Sequence, residues 1–241
     1  MALPSGYLPA TQHPWPCLVF ILPLLVAYEA GVLALGGPNP ESVRNGADHW
    51  LRWGLSELGL SLFWLPPAVL VVVFAVWATR RWADRPGDLT GVLSGMVLES
   101  VAFALGLWAF SRALAPLLLR AGIALSARAT PPEPALRQVV TYLGAGLYEE
   151  AIFRLALFSG LLLALRRLDV PRALAVALAA SASAVLFSTA HHVGPYGQPY
   201  SNYLFVFRLA AGLYFALLYQ LRGFGVVVGA HACYNVMVSI S

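Results

Sequence analysis

Read for apolar and polar positions, the chain is a succession of long apolar runs separated by short breaks. A helix that crosses a bilayer needs about 20 mostly apolar residues at 1.5 Å rise each. Seven runs meet or approach that length: Trp15–Leu35, Leu58–Thr79, Leu89–Phe110, Arg137–Leu165, Ala173–His192, Asn202–Leu221 and Phe224–Ile240. The stretch Leu114–Ala127 is shorter, and is expected to be an interfacial helix or an eighth, partial span. Breaks fall at Gly36-Gly37-Pro38, Arg85-Pro86-Gly87, Pro131-Pro132 with Pro134, and Gly194-Pro195. The first run exceeds a signal-peptide core and lacks a basic leader, so it is read as retained. No repeat of fixed period is visible. The expectation is an all-α, polytopic transmembrane bundle of about 7–8 spans. An N-terminal transmembrane region covers 1–136 and a helical core covers 137–241.

Composition agrees with this reading and excludes others. Of 241 residues, 59% are hydrophobic and 11% charged, with a mean hydropathy of +0.73. Soluble domains carry about 25% charged residues, so a water-soluble globule is excluded. All 15 basic residues are arginine, a hint of a GC-rich genome that says nothing of mechanism. The net charge is +4, but the arginines are scattered between apolar runs, and nucleic-acid binding wants a clustered basic face. Cys17 and Cys233 have no C-x-x-C partner, which excludes a disulfide scaffold and a thiolate zinc site. Arg80, Arg81 and Arg85 form one dense loop cluster, and Arg166, Arg167 and Arg172 another on the same side. The arginine counts on the two sides are seven and six, and the density of these clusters favours a cytoplasmic N-terminus without fixing the orientation. The expected location is the bacterial cell (inner) membrane.

Ionisable side chains at membrane depth cost at least ~2.5–3.5 kcal/mol each on insertion scales, so each is a functional hypothesis. Here they are Glu29, Glu99, Glu149, Glu150, Arg154, His191, His192, Arg208 and His231. From Glu149 onward three spans carry sets at helical spacing. Glu150 and Arg154, four apart, share a face and can pair, whereas Glu149 is turned by about 100° from Glu150. Phe187 and His191 share a face of the fifth span, as do His231 and Asn235 in the seventh. Taken singly, each has a structural reading: a Glu–Arg staple, an interfacial histidine, an interhelical asparagine. Glu29, Glu99 and Arg208 could pair with one another for structure alone. Together, two carboxylates, two imidazoles and an amide converging in one bundle point to chemistry. Helix rise puts Glu149 and His231 at similar depth. It leaves His191 near the far rim of its span unless that span is tilted or starts outside the membrane.

These residues resemble the CPBP family of intramembrane proteases, also called the Abi or CAAX-protease family. The motif E-E-x-x-x-R is matched by Glu149, Glu150 and Arg154, F-x-x-x-H by Phe187 and His191, and H-x-x-x-N by His231 and Asn235. The resemblance runs from about Val139 to the C-terminus, and Arg208 is not something the family's pattern leads one to expect. It implies an endopeptidase cutting near the C-terminus of a membrane-associated peptide or protein. Glu149 would then activate water, His191 would position it, and His231 with Asn235 would polarise the scissile carbonyl. Arg154 would keep Glu150 ionised. The family is labelled a metalloprotease, and Glu149, His191 and His231 could hold zinc with water in the fourth position. Acid–base chemistry by glutamate needs no metal and is the preferred reading. The absence of H-E-x-x-H argues against a site-two protease, and the absence of G-x-S-G against a rhomboid. The rivals from another class are a bacteriocin-immunity or scaffold protein, and a transporter using Glu149 and the histidines as a proton relay.

Overall fold

The computed structural model describes residues 6–123, 134–194 and 197–239. Among them the secondary structure is entirely helical. A short α1 (Tyr7–Thr11) leads into α2 (Pro14–Gly36), which His13 caps by accepting from Trp15 N. Then come α3 (Gly46–Glu57), α4 (Leu65–Arg80) and α5 (Leu89–Arg120). A continuous helical rod follows from α6 (Ala135–Gly144) through π-helical turns at Ala145–Glu149 and Ala151–Phe158 to α7 (Ser159–Arg167). The chain closes with α8 (Arg172–Ala190), α9 (Asn202–Arg222) and α10 (Phe224–Ser239). Helices α2, α5, α8 and α9 are long and apolar enough to cross a membrane, and α4 and α10 are shorter apolar helices.

The polarity of the bundle is inverted relative to a soluble protein. Val26 is 60% exposed and Leu98 71%, while Glu150 and Arg154 are fully buried. Outward-facing apolar side chains suit lipid, where every backbone group must be satisfied inside its own helix. Helix α2 runs antiparallel to α4, α6 and α9, whereas α5 and α10 run parallel to each other, with Gly225 beside Met96 and Gly229 beside Ser100. At one end Gln12 Nε2 donates to Leu221 O (2.6 Å) and His13 Nε2 meets Arg81 O (3.1 Å). At the other, Thr141 Oγ1 donates to Val43 O (3.2 Å) and Arg137 to Ser42 O.

Two boundaries differ from the sequence reading. The run from Leu58 is not helical until Leu65: α3, an amphipathic helix that apolar-run reading missed, ends at Leu58, and Gly59 turns the chain at φ +76°. Pro66 and Pro67 then start α4, where their missing N–H groups cost nothing. The separate stretch from Leu114 is also corrected. It continues α5 to Arg120 without a break, Pro116 included, until Gly122 at φ +75° ends the helix. An eighth, partial span is therefore not formed there; residues 124–127 and the Pro131-Pro132 break lie outside the described residues.

Small residues let the rods approach. A Cβ on Gly212 would stand 2.9 Å from Ala184 Cα, so α8 and α9 touch backbone to backbone. A Cβ on Gly146 would stand 2.8 Å from Val228 O, which brings the π-helical turn carrying Glu149 directly onto α10. That second contact sets the site.

Candidate active site

The first motif straddles the two π-helical turns, a feature frequent at functional sites. Glu150 Oε1 accepts from His231 Nδ1 (2.6 Å) and forms an ion pair with Arg154 Nη1 (3.1 Å), all within a buried cluster. The pairing of Glu150 with Arg154 matches the spacing argument. The guanidinium also donates Nη2 to Gly212 O (3.3 Å) and lies 4.5 Å over the ring of Phe187 and 5.4 Å over that of Phe215. The motif phenylalanine is thus a cation–π platform under the arginine. Phe187 also meets His191 edge-on (4.8 Å), and Phe215 stacks on His231 (4.6 Å).

Glu149 turns the other way, as its one-residue offset requires, and borders a cavity of about 870 Å³. His191 Nε2 stands 3.6 Å and His231 Nε2 3.8 Å from its Oε2. The ring atoms are assigned by their partners. His191 Nδ1 donates to Phe187 O (2.8 Å), and His231 Nδ1 to Glu150, so both Nε2 atoms face Glu149. Asn235 lines the same cavity one turn beyond His231. All six motif residues with chemistry come together.

The depth argument about His191 is half right. The residue does sit at the rim, directly past the end of α8, yet it reaches Glu149 because the cavity lies at that end of the bundle. His192 faces away and packs on Tyr200 and Phe205. Cys233 is half-buried and free.

Sequence reasoning missed a residue at this site. Asn45, the cap of α3, donates from Nδ2 to Glu149 Oε1 (3.2 Å). It is held by a buried ionic cluster built from α2, α3 and the rod. Arg44 Nη1 donates to Asp48 Oδ2 (2.7 Å) and Glu29 Oε2 (3.2 Å), and Arg52 Nε to Asp48 Oδ1 (2.9 Å). The Tyr28 hydroxyl donates to Asp48 (2.9 Å) and the Tyr148 hydroxyl to Glu29 (2.8 Å). Burial alone would favour a neutral Arg44, but the carboxylates of Asp48, Glu29 and Glu41 outweigh it and raise its pKa above the ordinary range. The readable signal was the 44, 48, 52 spacing, in which Asp48 and Arg52 share a face of α3 and Arg44 stands just ahead of its cap. Glu29 therefore pairs with Arg44, and Glu99 with Arg222 (2.5 Å), so the mutual pairing of Glu29, Glu99 and Arg208 is not what forms.

The zinc reading asks for Glu149, His191 and His231 as ligands. Among the described residues no group of three or more His, Cys, Asp or Glu side chains is arranged to hold a metal ion. His231 gives Nδ1 to Glu150 and keeps Nε2 toward Glu149.

Residues 131–237 match the family model described as Rce1-like, type II CAAX prenyl endopeptidase. This region is similar to the CAAX-protease family. The match begins just ahead of the rod and takes in all three motifs of the CAAX-protease resemblance. Comparisons with curated proteins and with solved structures gave no match. The matched region does not include Asn45, which reaches Glu149 from outside it, nor Arg44, Asp48 and Glu29 of the ionic cluster.

Proposed function

We propose that this protein is an intramembrane endopeptidase of the CAAX-processing type. It hydrolyses a peptide bond near the C-terminus of a membrane-associated substrate through water activated by Glu149. The observation that carries the reading is the Glu149 carboxylate flanked by two Nε2 atoms, at 3.6 and 3.8 Å, on the wall of a cavity large enough for a peptide segment. A water there donates one hydrogen to Glu149 Oε2 and the other to His191 Nε2, whose Nδ1–H is already committed to a backbone carbonyl. As the water attacks, Glu149 takes its proton and later passes it to the leaving amine. His231, oriented by Glu150, and the Asn235 amide polarise the scissile carbonyl and hold the developing oxyanion. Arg154 supplies the charge that lets Glu150 remain a carboxylate in a buried setting. The chemistry requires no metal. Incubation of the purified protein with a labelled prenylated CAAX reporter peptide tests the reading. Wild type is expected to release the C-terminal fragment, and Glu149→Gln to release none above background; release by neither defeats it.

A further inference from the structure

We propose that Arg208 forms a carboxylate subsite of the cavity, binding a carboxylate of the peptide substrate. The proposal rests on the proteolytic reading for the choice of ligand. Arg44, Arg52, Arg154 and Arg222 each stand within ion-pair distance of an acidic side chain. Arg208 does not. Its Nη2 donates to the side-chain oxygen of Gln198, and its Nη1 is buried with no hydrogen-bond partner among the described residues. A guanidinium presents five donors in a planar fork that pairs edge-on with a carboxylate, and the two on Nη1 have no partner among the described residues.

Its place in the fold gives the vacancy a meaning. Arg208 lines the cavity, near enough to Glu149 and His191 to interact with both electrostatically. Arg112 lines the same cavity, whose described wall therefore sets two arginines against one carboxylate, Glu149. Such a wall favours an anionic guest. Gln198 holds the guanidinium and is itself tied by its backbone N–H to His191 O (2.8 Å), so the subsite is registered to the histidine beside Glu149. Phe215, which stacks on His231, lies seven residues further along α9, about 10 Å of helix rise away. An extended peptide bridges that interval with a few residues. Arg208 thus fixes how far the cleaved bond stands from the carboxylate.

The test uses the full chain in detergent carrying Glu149→Gln, so that peptide binds without being cut. The probe is a fluorescent S-farnesyl peptide without acidic side chains, as the free acid, as the C-terminal amide, and as the amide with one Glu introduced near its end. The free acid is expected to bind about 10- to 100-fold tighter than the amide, the range for a hydrogen bond to a charged group. Adding Arg208→Gln is expected to bring the two within twofold while leaving amide binding unchanged. Arg208→Lys, which keeps the charge but loses the fork, is expected to retain part of the preference. Recovery of affinity by the Glu-bearing amide assigns the carboxylate to a side chain, and no recovery assigns it to the chain end. Equal binding of acid and amide, no binding of any form, or a preference that survives Arg208→Gln overturns the proposal. Cleavage of the free acid by the wild type, followed by mass spectrometry, judges the proteolytic reading separately.

Discussion

Asn45 donates a hydrogen bond to Glu149 across 104 positions of sequence, from a loop cap to the middle of a helical rod. The contact fixes one carboxylate oxygen and leaves the other, Oε2, between the two imidazoles. The segment 37–64 is therefore part of the site.

Loss of that donor is expected to misplace the base without unfolding the protein. Asn45→Ala should lower kcat about 10-fold or more, given 1.5–3 kcal/mol for a hydrogen bond to a charged group, with KM little changed. Asn45→Asp puts a second carboxylate against Glu149 and should lose more. Steady-state cleavage of the reporter peptide checks both, and a wild-type kcat for Asn45→Ala would remove the residue from the mechanism.

Glu149 and Glu150 are expected to separate cleanly. Glu149→Gln is nearly isosteric and should remain folded, bind peptide and lose at least about 100-fold in turnover for want of a general base. Arg154→Ala leaves Glu150 buried beside His231 without its cation, at about 3–5 kcal/mol, and should lose most of its folded yield. Purified yield, thermal melting and cleavage are compared side by side. Equal melting temperatures for the two proteins would contradict the assignment of roles.

Gly146 is expected to tolerate nothing larger. The Cβ of Gly146→Ala falls 2.8 Å from Val228 O and 3.0 Å from Ala232 Cβ, so the rod must move off α10. Overpacking of this kind costs about 1–3 kcal/mol. Here the displacement also widens the gap between Glu149 and His231, and kcat should fall more steeply than stability.

Glu99 provides the contrast. Its carboxylate takes Arg222 Nε at 2.9 Å and Nη2 at 2.5 Å, at the end of the bundle away from the cavity. Glu99→Gln should lower the melting temperature while leaving kcat and KM near wild type. A large kinetic effect with unchanged melting would show that the site extends further than its lining residues.

How much of this was legible in the sequence depends on the kind of signal. Glu149, His191 and His231 could be found because helical periodicity fixes faces, and three polar faces inside an apolar bundle have one interior to share. Asn45 could not, because a capping asparagine reads as a local device. Nothing in the segment 37–64 states that α3 folds back into the bundle. The joining of Leu89–Phe110 to the following stretch was hidden by polar Ser111 and Arg112, which apolar-run counting treats as an end. The π-helical turns have no sequence signature at all, yet they bring Gly146 and Glu149 onto α10.

The buried ionic cluster also sets an order on biosynthesis. Glu29 enters the bilayer on the first long helix, when no later span exists to receive its charge. Its cation, Arg44, follows only 15 residues behind, whereas Tyr148 comes 119 residues later. The nascent chain can therefore neutralise α2 locally, by folding the segment 37–64 back as it emerges. The rod that carries Glu149 then docks its tyrosine against a pair already made.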